Sequence, residues 1–439
     1  MPKTIKKVAV IGSGVMGSGI AAHCANAGCE VLLLDIVDDH STDRSSIAKN
    51  AIKHMHKSNP EMLMQKSNSK MITPGNIDDD LHILNDYDWV IEVIIENLEI
   101  KKNLYKKLAQ YIGEDTILSS NTSTIPRSEL ISDMSTDLST RFLITHFFNP
   151  PRYLPLLEVV SSPEVNVDVL ERFCSFADID LGKRVTLCND SPGFIGNRLG
   201  IYFIQRAFKA TIDHGLTIEQ ADAMLGRPIG LPKTAVFALM DLVGIDLIPH
   251  VTDSLVSHLD KNDPFHNIAG AGKENIISMI DEGYTGRKGK GGFYRLNREK
   301  GKKIKEARSL ITGEYNTANR KAAFPSAKMG KRGLADIMDC NDKGAEFVTD
   351  VILDSLSYAA FVVPEVSEDI YAIDGAMKVG YNWKKGPFEM MDAIGLKSMV
   401  NRLKESNKSI PPFLALAAEK GSFYSTNSGE ITRLSPNGE

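Results

Sequence analysis

The stretch KKVAVIGSGVMGSGIAAHCANAGCEVLLLDIV, residues 6–37, indicates a strand, a glycine-rich turn, a helix and a second strand. A short apolar run, VAVI, precedes the turn, and runs of this kind form the buried strands of parallel sheets. Gly12, Gly14 and Gly17 then follow with the spacing GxGxxG. The order of these elements predicts an α/β domain with a parallel sheet in this part of the chain.

The three glycines have different tasks in a turn of this type. Gly12 permits the tight turn, Gly14 lets a pyrophosphate approach the backbone, and Gly17 lets the helix pack close to the strand. The helix begins with Val15 and Met16, and its amide groups and positive dipole end point at the phosphates. These residues predict a Rossmann-type, dinucleotide-binding domain. The alternative is a glycine turn in an α/β fold that binds no nucleotide.

Asp35 ends the second strand, about 20 residues beyond the glycines, where a carboxylate can accept hydrogen bonds from both ribose hydroxyls. The same carboxylate would repel a 2′-phosphate. The sequence therefore predicts NAD rather than NADP as the cofactor.

The bulk composition narrows the class of protein. The 439 residues carry a formal net charge of −5 and 42% hydrophobic residues, which suits a soluble protein of several domains and gives no reason to expect nucleic acid. The N-terminus runs directly into a strand, and no segment approaches about 20 uninterrupted apolar residues, so neither a signal peptide nor a membrane span is expected. The cysteines are scattered, odd in number and without metal-ligand spacing, which predicts no metal site and a cytoplasmic location. They are Cys24, Cys29, Cys174, Cys188 and Cys340.

A polar, basic and helical stretch follows Asp35. Lys49, Lys53 and Lys57 recur every four residues, which places them along one helical face. Such a row is either a solvated face or a clamp for an anionic ligand, such as a phosphate-bearing carrier.

Two further buried strands are predicted in the N-terminal part. Residues 89–95, WVIEVII, form one strand with Glu96 at its end, and TILSS forms the next, which leads to Asn121, Thr122 and Ser123. The carboxyl ends of strands in an open parallel sheet are where ligands bind.

The stretch RFLITHFFNPPRYLPLLEVV, residues 141–160, places His146 and Glu158 inside two apolar runs joined by the turn NPPR. Apolar surroundings penalise charge, so a buried carboxylate needs a partner. The stretch therefore predicts a titratable pair. The alternative is a core histidine that is satisfied by a nearby carboxylate and has no chemical role.

Six motifs in this order closely resemble the 3-hydroxyacyl-CoA dehydrogenase family of fatty-acid β-oxidation, over residues 5 to about 295. They are VAVIGSGVMGSGIA, VIEVIIENLEIKK, SSNTST, THFFNPP with LLEVV, NDSPGFIGNR and GRKGKGGFY. The resemblance implies that His146 is the catalytic base and that Glu158 orients it. It implies that Ser123 and Asn197 contact the reacting substituent. The residues implied on the cofactor side are Asp35, Glu96, Lys101, Ser123, Asn149 and Lys288.

The implied reaction is oxidation of a (3S)-3-hydroxyacyl-CoA to a 3-oxoacyl-CoA with NAD. It requires removal of the hydroxyl proton while hydride leaves the same carbon, and a neutral imidazole suits this task. Lys49, Lys53 and Lys57 become the candidate contacts for CoA. One alternative is a β-hydroxyacid dehydrogenase acting on free acids, a group that depends on a lysine in the base position. The other is a catalytically inactive binding protein, which would be expected to have lost the base or its orienter.

The C-terminal half contains an internal repeat. FALMDLVGID (237–246) matches FEMMDAIGLK (388–397), and Asp222 corresponds to Asp374. Duplicated modules bury apolar surface against each other. The sequence therefore predicts a Rossmann-type domain over 1–188 and two related helical units over 189–297 and 344–439, joined by a basic linker over 298–343.

The resemblance accounts for the repeat, because long members of the family carry two helical units in one chain. The second unit then takes the place of a partner subunit's unit, so either a monomer or a homodimer is expected. No hydratase pattern is present in the sequence, and an enoyl-CoA hydratase or a thiolase is a possible partner.

Replacing Asp35 with serine tests the assignment of the ribose contact. We expect weaker binding of NAD and a smaller preference for NAD over NADP, because the carboxylate that would repel a 2′-phosphate is lost. The measurement is the ratio of kcat/KM for the two cofactors. An unchanged ratio would show that Asp35 does not contact the ribose.

Overall fold

The computed structural model describes residues 4–298, 303–319, 321–427 and 430–438. Contacts within the chain define two compact units, Met1–Phe194 and Ile195–Glu439. The division falls after Phe194, slightly beyond the predicted boundary at residue 188. Apart from residues 189–194, both predicted helical units belong to the second compact unit.

Among residues 4–194, the first unit contains one sheet of eight strands. These are β1 (Lys7–Ile11), β2 (Glu30–Asp35), β3 (Ile72–Asn76), β4 (Trp89–Glu92), β5 (Ile117–Ser120), β6 (Phe142–Phe147), β7 (Leu156–Val160) and β8 (Arg184–Cys188). Their order across the sheet is β3-β2-β1-β4-β5-β6-β7-β8, and every neighbouring pair is parallel except β6 and β7. The predicted Rossmann-type α/β class is confirmed, with β1 between β2 and β4 at the centre of a doubly wound sheet.

Helices cover the sheet and connect its strands. They are α1 (Val15–Asn26), α2 (Ser46–Met55), α3 (Leu98–Leu108), α4 (Arg127–Leu130), α5 (Thr136–Ser139) and α6 (Val167–Ser175), with 3-10 turns at Lys66–Met71 and Leu81–Asp86 and a π turn at Phe176–Asp180. Small buried residues let α1 lie close to the strands. A Cβ atom on Gly17 would lie 1.8 Å from the carbonyl oxygen of Gly12, so the contact requires glycine.

Two predicted elements differ in the structure. The strand predicted over 89–95 ends at Glu92, because the Glu92 carboxylate accepts a hydrogen bond from the Ile94 amide at 2.8 Å and turns the chain. The basic helix α2 ends at Met55, so Lys57 lies outside the helical row predicted for it. The Ser58–Asn59–Pro60 sequence that follows disfavours helix, since a proline restricts the residue before it to extended conformations.

The second unit is largely helical in its described part. Its helices are α7 (Gly196–Asp213), α8 (Ile218–Met224), α9 (Phe237–Val243), α10 (Leu247–His258), α11 (Lys273–Asp281), α12 (Leu334–Met338), α13 (Lys343–Phe361), α14 (Ile370–Gly380), α15 (Pro387–Ile394), α16 (Leu396–Glu405) and α17 (Pro412–Lys420). Short strands accompany them: β9 (Tyr294–Asn297), β10 (Ile304–Arg308), β11 (Tyr315–Thr317), β12 (Tyr424–Asn427) and β13 (Glu430–Arg433). Further 3-10 turns lie at Arg227–Ile229, Pro264–Asn267 and Pro325–Lys331.

The segment 298–343, predicted as a linker, contains regular secondary structure in its described part. Its strands β10 and β11 pair with β9 in an antiparallel sheet, and its later residues form a 3-10 turn and α12. Strands β10 and β11 are therefore folded onto the helical unit before them, whereas α12 packs against α13 and α15 of the unit that follows. Residues 299–302 and 320 lie outside the described residues.

Equivalent aspartates form the same hydrogen bonds within each of the two helical copies. In the first copy (residues 196–297), Asp222 accepts hydrogen bonds from the amides of residues 236–238 and from the Tyr294 hydroxyl. In the second copy (residues 343–433), Asp374 accepts from the amides of residues 388 and 389 and from the Tyr424 hydroxyl. The structure thus supports the predicted correspondence of the two aspartates.

A second pair of aspartates repeats in the same way. Asp241 accepts hydrogen bonds from the amides of Phe293 and Tyr294. Asp392 accepts hydrogen bonds from the amides of Phe423 and Tyr424. Each carboxylate fixes the start of a short strand, β9 in the first copy and β12 in the second. These strands follow the helices of each copy, and the helical pattern of the sequence does not predict them.

Helices α7 and α13 of the two copies pack antiparallel. The Arg198 Nε donates to the Tyr358 hydroxyl at 2.5 Å, and an Arg206 guanidinium nitrogen lies 2.5 Å from Asp350. In this part of the repeat, equivalent residues of the copies are 152 positions apart, as Asp222 and Asp374 are, so positions 198 and 206 correspond to 350 and 358. The two contacts therefore exchange under the repeat, as in an isologous interface between identical subunits. None of the helices in the described part of the chain is long and apolar enough to span a bilayer.

Asp374 predicts a pH dependence of stability. Burial raises the pKa of its carboxyl to about 7, although hydrogen bonds from Phe388, Tyr424 and Glu389 oppose the rise. The folded protein therefore holds this proton up to a higher pH than the unfolded chain does. Its stabilising contribution is complete below pH 4 and is lost as the pH rises to 7.

We expect the stability difference between wild type and Asp374→Asn to decrease from pH 5 to pH 8, by on the order of 2–4 kcal/mol, because asparagine does not titrate. Urea unfolding at both pH values is the measurement. A difference that grows with pH would show that the carboxyl is ionised in the fold.

Candidate active site

His146 is the penultimate residue of β6, at the edge of the sheet where the parallel strands β1, β4, β5 and β6 have their carboxyl ends. Because β7 runs antiparallel, Glu158 lies directly opposite it in the register. Residues paired across two strands project from the same face of a sheet. The two side chains meet with His146 Nδ1 2.7 Å from Glu158 Oε2.

The pair is buried: His146 is 6% exposed and Glu158 is fully buried. An ionised carboxylate can only accept hydrogen bonds, so the imidazole presents its Nδ1–H to Glu158. The Nε2 atom is then the nitrogen that can accept a proton. The rings of Phe148 and Phe194 lie 4.6 and 5.8 Å from the imidazole centre and form an apolar surround. This is the arrangement required of a general base with an orienting carboxylate.

The loop after β5 is hydrogen-bonded to β6, the strand that carries His146. The Asn121 Oδ1 atom accepts a hydrogen bond from the Phe147 amide at 2.9 Å. Ser123, which is half-buried, lies in the same loop, and its amide donates to Glu96 Oε1 at 3.0 Å. The structure therefore places Ser123 at the same sheet edge as His146.

Glu96 is the junction between this loop and a buried ion pair. Its carboxylate accepts a hydrogen bond from the Thr122 hydroxyl at 2.6 Å and lies 3.3 Å from the Lys101 ammonium. Burial alone would raise the pKa of the Glu96 carboxyl, but the Lys101 charge and the hydrogen bonds from Thr122 and Ser123 lower it. Glu96 is thus held as a carboxylate next to Ser123.

Glu92 is a buried carboxylate next to the candidate site that the sequence analysis did not single out. It is fully buried, and it accepts hydrogen bonds at 2.6 Å from the Lys101 ammonium, the Tyr105 hydroxyl and the Ser120 hydroxyl. Burial, together with the nearby Glu92, raises the pKa of Tyr105. Lys101, predicted to contact the cofactor, has its ammonium between Glu92 and Glu96 and is 1% exposed. The signal in the sequence was a glutamate in the middle of an apolar run, with a lysine nine residues later.

The glycine turn has the geometry predicted for it. Gly12 has φ +104°, and a Cβ atom there would lie 2.5 Å from the Val93 carbonyl oxygen. A Cβ atom on Gly14 would meet nothing within 4 Å. Gly14 also occupies the N-cap of α1, where it has no side chain to cap the first amides, those of Val15 and Met16. Open space before uncapped helical amides suits the phosphates of a dinucleotide.

Asp35 lies beside this turn at the end of β2. Its Oδ2 accepts hydrogen bonds from the Ser13 amide at 2.6 Å and from the Ser13 hydroxyl at 2.5 Å, and its Oδ1 accepts from the Ile36 amide at 2.8 Å. The carboxylate is therefore fixed in place, with Ser13 as a partner that the sequence did not single out. Exposed apolar residues adjoin the same strand ends: Val15, Ile36 and Ile95.

The other predicted site residues are dispersed. Asn149 is exposed in the turn after β6. On α2, Lys49 pairs with Asp43 at 2.7 Å and Lys53 contacts the Asn50 side chain, both in exposed positions, while Lys57 follows the helix. In the second unit, Asn197 is half-buried in the first turn of α7, and the exposed Lys288 pairs with Asp246 at 2.7 Å.

Sequence comparison identifies the first compact unit and the first helical copy of the second unit. Residues 7–191 match the profile described as 3-hydroxyacyl-CoA dehydrogenase, NAD binding domain, and residues 193–296 match the C-terminal domain of the same family.

The chain belongs to the 3-hydroxyacyl-CoA dehydrogenase family. Its first unit is the family's NAD-binding domain, and the predicted resemblance is confirmed.

Relatives extend the match along the chain. The putative fatty acid oxidation complex trifunctional enzyme of Rickettsia felis is 40% identical over 94% of this chain and 57% of its own length. A probable 3-hydroxyacyl-CoA dehydrogenase of Deinococcus radiodurans is 40% identical over 72% of this chain and 89% of its own. The chain thus spans little more than half the length of the first of these relatives.

A solved structure shares the fold of this 3-hydroxyacyl-CoA dehydrogenase family member. The 3-hydroxybutyryl-CoA dehydrogenase of Escherichia coli K12 covers 95% of this chain and 99% of its own, with a TM-score of 0.72 and 22% identity. At this identity the likeness concerns the fold alone. It extends over the duplicated helical copies, beyond residue 296.

Glu92→Gln tests the buried ion pair of this family member. The substitution keeps the shape but removes the charge, which leaves the Lys101 ammonium with Glu96 alone. Removing one partner of a buried pair costs about 3–5 kcal/mol, and we expect the free energy of unfolding to fall by this amount. Glu99→Gln removes the same charge at an exposed position in the first turn of α3, where we expect a change below about 1 kcal/mol. Equal effects in urea unfolding would contradict the assignment.

Proposed function

We propose that this chain oxidises (3S)-3-hydroxyacyl-CoA to 3-oxoacyl-CoA with NAD, as a step of fatty-acid β-oxidation. The observation that carries the proposal is the 2.7 Å contact between His146 Nδ1 and Glu158 Oε2 at the carboxyl edge of the sheet. Family membership supports the same activity.

Each residue of the pair has a defined task in this reaction. Bound NAD supplies the acceptor for the hydride that leaves the substrate carbon. His146 Nε2 takes the proton of the substrate hydroxyl, and Glu158 keeps the ring in the tautomer that leaves this nitrogen bare. Glu158 also stabilises the imidazolium that forms, since it is a carboxylate held against the ring in an apolar surround.

Ser123 and Asn197 are proposed to hydrogen-bond the substrate oxygen as it becomes a ketone. The contribution of such donors is greatest when they are held in place before the reaction. For Ser123 this support comes from Glu96, which accepts its amide and is itself fixed by Lys101. For Asn197 it comes from the first turn of α7, in which it lies.

The cofactor contacts are proposed on the same basis. Asp35 is proposed to contact the adenosine ribose and Gly14 the pyrophosphate, which the open space at Gly14 supports. Glu96, Asn149 and Lys288 are proposed on the cofactor side. Lys101 is proposed to act there through Glu96, because its ammonium is buried.

The residues proposed to contact the CoA part of the substrate are lysines on and after α2. Lys49 and Lys53 are exposed on α2, and with Lys57 they are the proposed contacts for CoA phosphates. The alternative, oxidation of free β-hydroxy acids, is not favoured, because that group uses a lysine as base where this chain has His146. An inactive binding protein is not favoured either, because base and orienter are both present and bonded.

Partners and location follow from the same proposal. Hydration of an enoyl-CoA supplies a 3-hydroxyacyl-CoA and thiolysis consumes a 3-oxoacyl-CoA, so a hydratase and a thiolase are the proposed partners. Because α13 covers α7 within one chain, we propose that no second subunit is needed at that surface, and a monomer or a dimer through another surface is consistent with it. The five cysteines are free, which supports a reducing cytoplasm.

Replacing His146 with glutamine tests the catalytic base. We expect turnover of 3-hydroxybutyryl-CoA to fall at least ~100-fold, because a positioned general base contributes about 10²–10⁴. The measurement is NADH formation by the purified variant. His82→Gln, at an exposed site in the first unit, serves as the matched control.

A rate close to that of wild type would remove His146 from the mechanism. Free 3-hydroxybutyrate is assayed in parallel with the CoA ester. Faster turnover of the free acid would favour the alternative substrate class.

A further inference from the structure

We propose that Tyr381 of the second copy is a positioning residue for Asn197. Tyr381 lies outside the residues that match the family's two domains, which end at residue 296. The inference rests on the proposed function, in which the Asn197 side chain contacts the reacting oxygen. It gives the second copy a part in the reaction besides covering α7.

The segment from Tyr381 to Lys384 makes a tight turn after α14. Tyr381 follows the helix, and its amide donates to the Met377 carbonyl at 3.1 Å. Asn382 then has φ +57°, a left-handed conformation that asparagine tolerates better than most residues. The reversal at Asn382 lets the side chains on both sides of it approach the first copy.

The first contact of this turn is with the peptide group that carries Asn197. The Tyr381 hydroxyl donates a hydrogen bond to the carbonyl oxygen of Gly196 at 3.0 Å. That carbonyl belongs to the same peptide plane as the Asn197 amide nitrogen. Gly200, one turn further along α7, leaves room for the ring, because a Cβ atom there would lie 1.8 Å from the hydroxyl oxygen.

Two neighbouring contacts fix the turn against the first copy. The Trp383 ring packs edge-on against Phe203 of α7, with ring centres 5.3 Å apart. The Lys384 amide donates to the Gly230 carbonyl at 3.0 Å. The Tyr381 hydroxyl therefore belongs to an anchored segment.

The residue after Asn197 is also held from the second copy. The guanidinium of Arg198, 1% exposed, donates to the Tyr358 hydroxyl at 2.5 Å and to both oxygens of Glu365 at 2.9 and 3.1 Å. It also pairs with Asp263 of the first copy at 2.5 Å. Tyr358 is itself stacked on Tyr202, with ring centres 3.8 Å apart.

Asn197 thus lies between two residues that the second copy anchors, Gly196 through Tyr381 and Arg198 through Tyr358 and Glu365. A group that stabilises a developing charge loses effect when its placement changes by a fraction of an ångström. The Tyr381 hydrogen bond limits the movement of this peptide group. Because the Asn197 contact is proposed to strengthen in the transition state, its misplacement lowers kcat more than it raises KM.

Tyr381→Phe tests the inference, because it removes only the hydroxyl. We expect kcat with 3-hydroxybutyryl-CoA to fall roughly 3- to 10-fold, as for the loss of one hydrogen bond, with KM changed less than about 2-fold. Tyr424→Phe is the matched control, since it removes a hydroxyl from the same copy away from α7. Its kcat is expected to stay within about 2-fold of wild type, whatever its effect on stability.

A double-mutant cycle distinguishes positioning from a general structural effect. If Tyr381 acts through Asn197, adding Tyr381→Phe to Asn197→Ala causes no further loss of kcat. A double variant whose kcat is reduced by the product of the two single-variant factors would overturn the inference. A Tyr381→Phe enzyme with the kcat of wild type would overturn it as well.

Hydrogen exchange gives a readout that does not depend on turnover. The Gly200 amide, whose helical acceptor is the Gly196 carbonyl, is expected to exchange faster in Tyr381→Phe and unchanged in Tyr424→Phe. If the wild type did not oxidise 3-hydroxyacyl-CoA at all, the proposed function would fail. The exchange rates would still show whether Tyr381 stabilises the first turn of α7. Unchanged exchange in Tyr381→Phe would overturn the positioning.

Discussion

The candidate active site depends on the antiparallel pairing of β6 with β7 in a sheet whose other neighbouring strands are parallel. The register of this pair brings a histidine and a glutamate from opposite ends of a short turn to the same face, 2.7 Å apart. A shift of the register by one residue would send Glu158 to the other face, because successive side chains in a strand alternate. The apolar runs that bury both strands therefore also set the chemistry of the site.

Buried carboxyl groups recur in the described part of the fold, and the following ones each fix a loop or a helix end. Glu92 and Lys101 form an ion pair below the loop that carries Ser123, and Glu96 joins the pair to that loop. In the helical copies, Asp222 and Asp374 accept hydrogen bonds from backbone amides at the start of the following helix. A buried ion pair is weak evidence for net stability, since desolvation offsets the attraction. Its effect here is to give each loop one preferred position.

The sequence was sufficient for the central features of the fold and the site. The glycine spacing and its flanking strands predicted the domain, and the two apolar runs with NPPR between them predicted the histidine–glutamate pair. The repeat was detectable from a few identities around Asp222 and Asp374. The motif Cys-Asn-Asp, at 188–190 and again at 340–342 with the same offset of 152 positions, is a further signal of it.

Other features depend on tertiary contacts that local patterns do not contain. The shortened β4 results from a side chain capturing a nearby amide, which hydrophobic periodicity cannot show. The strands β10 and β11 lie in a basic segment without clear alternation, and they are held by pairing with β9. The burial of Lys101 requires a carboxylate nine residues earlier, and only the turn of the chain after Glu92 brings the two together.

The tautomer of His146 tests the proposed role of the histidine–glutamate pair most directly. Long-range proton–nitrogen NMR spectra of protein labelled with ¹⁵N in histidine would be recorded at a pH where the ring is neutral, with the His146→Gln spectrum used for assignment. The structure predicts a proton on Nδ1, donated to Glu158, and a bare Nε2. A ring protonated on Nε2 with a bare Nδ1 would contradict it, because the nitrogen assigned to accept the substrate proton would already be occupied.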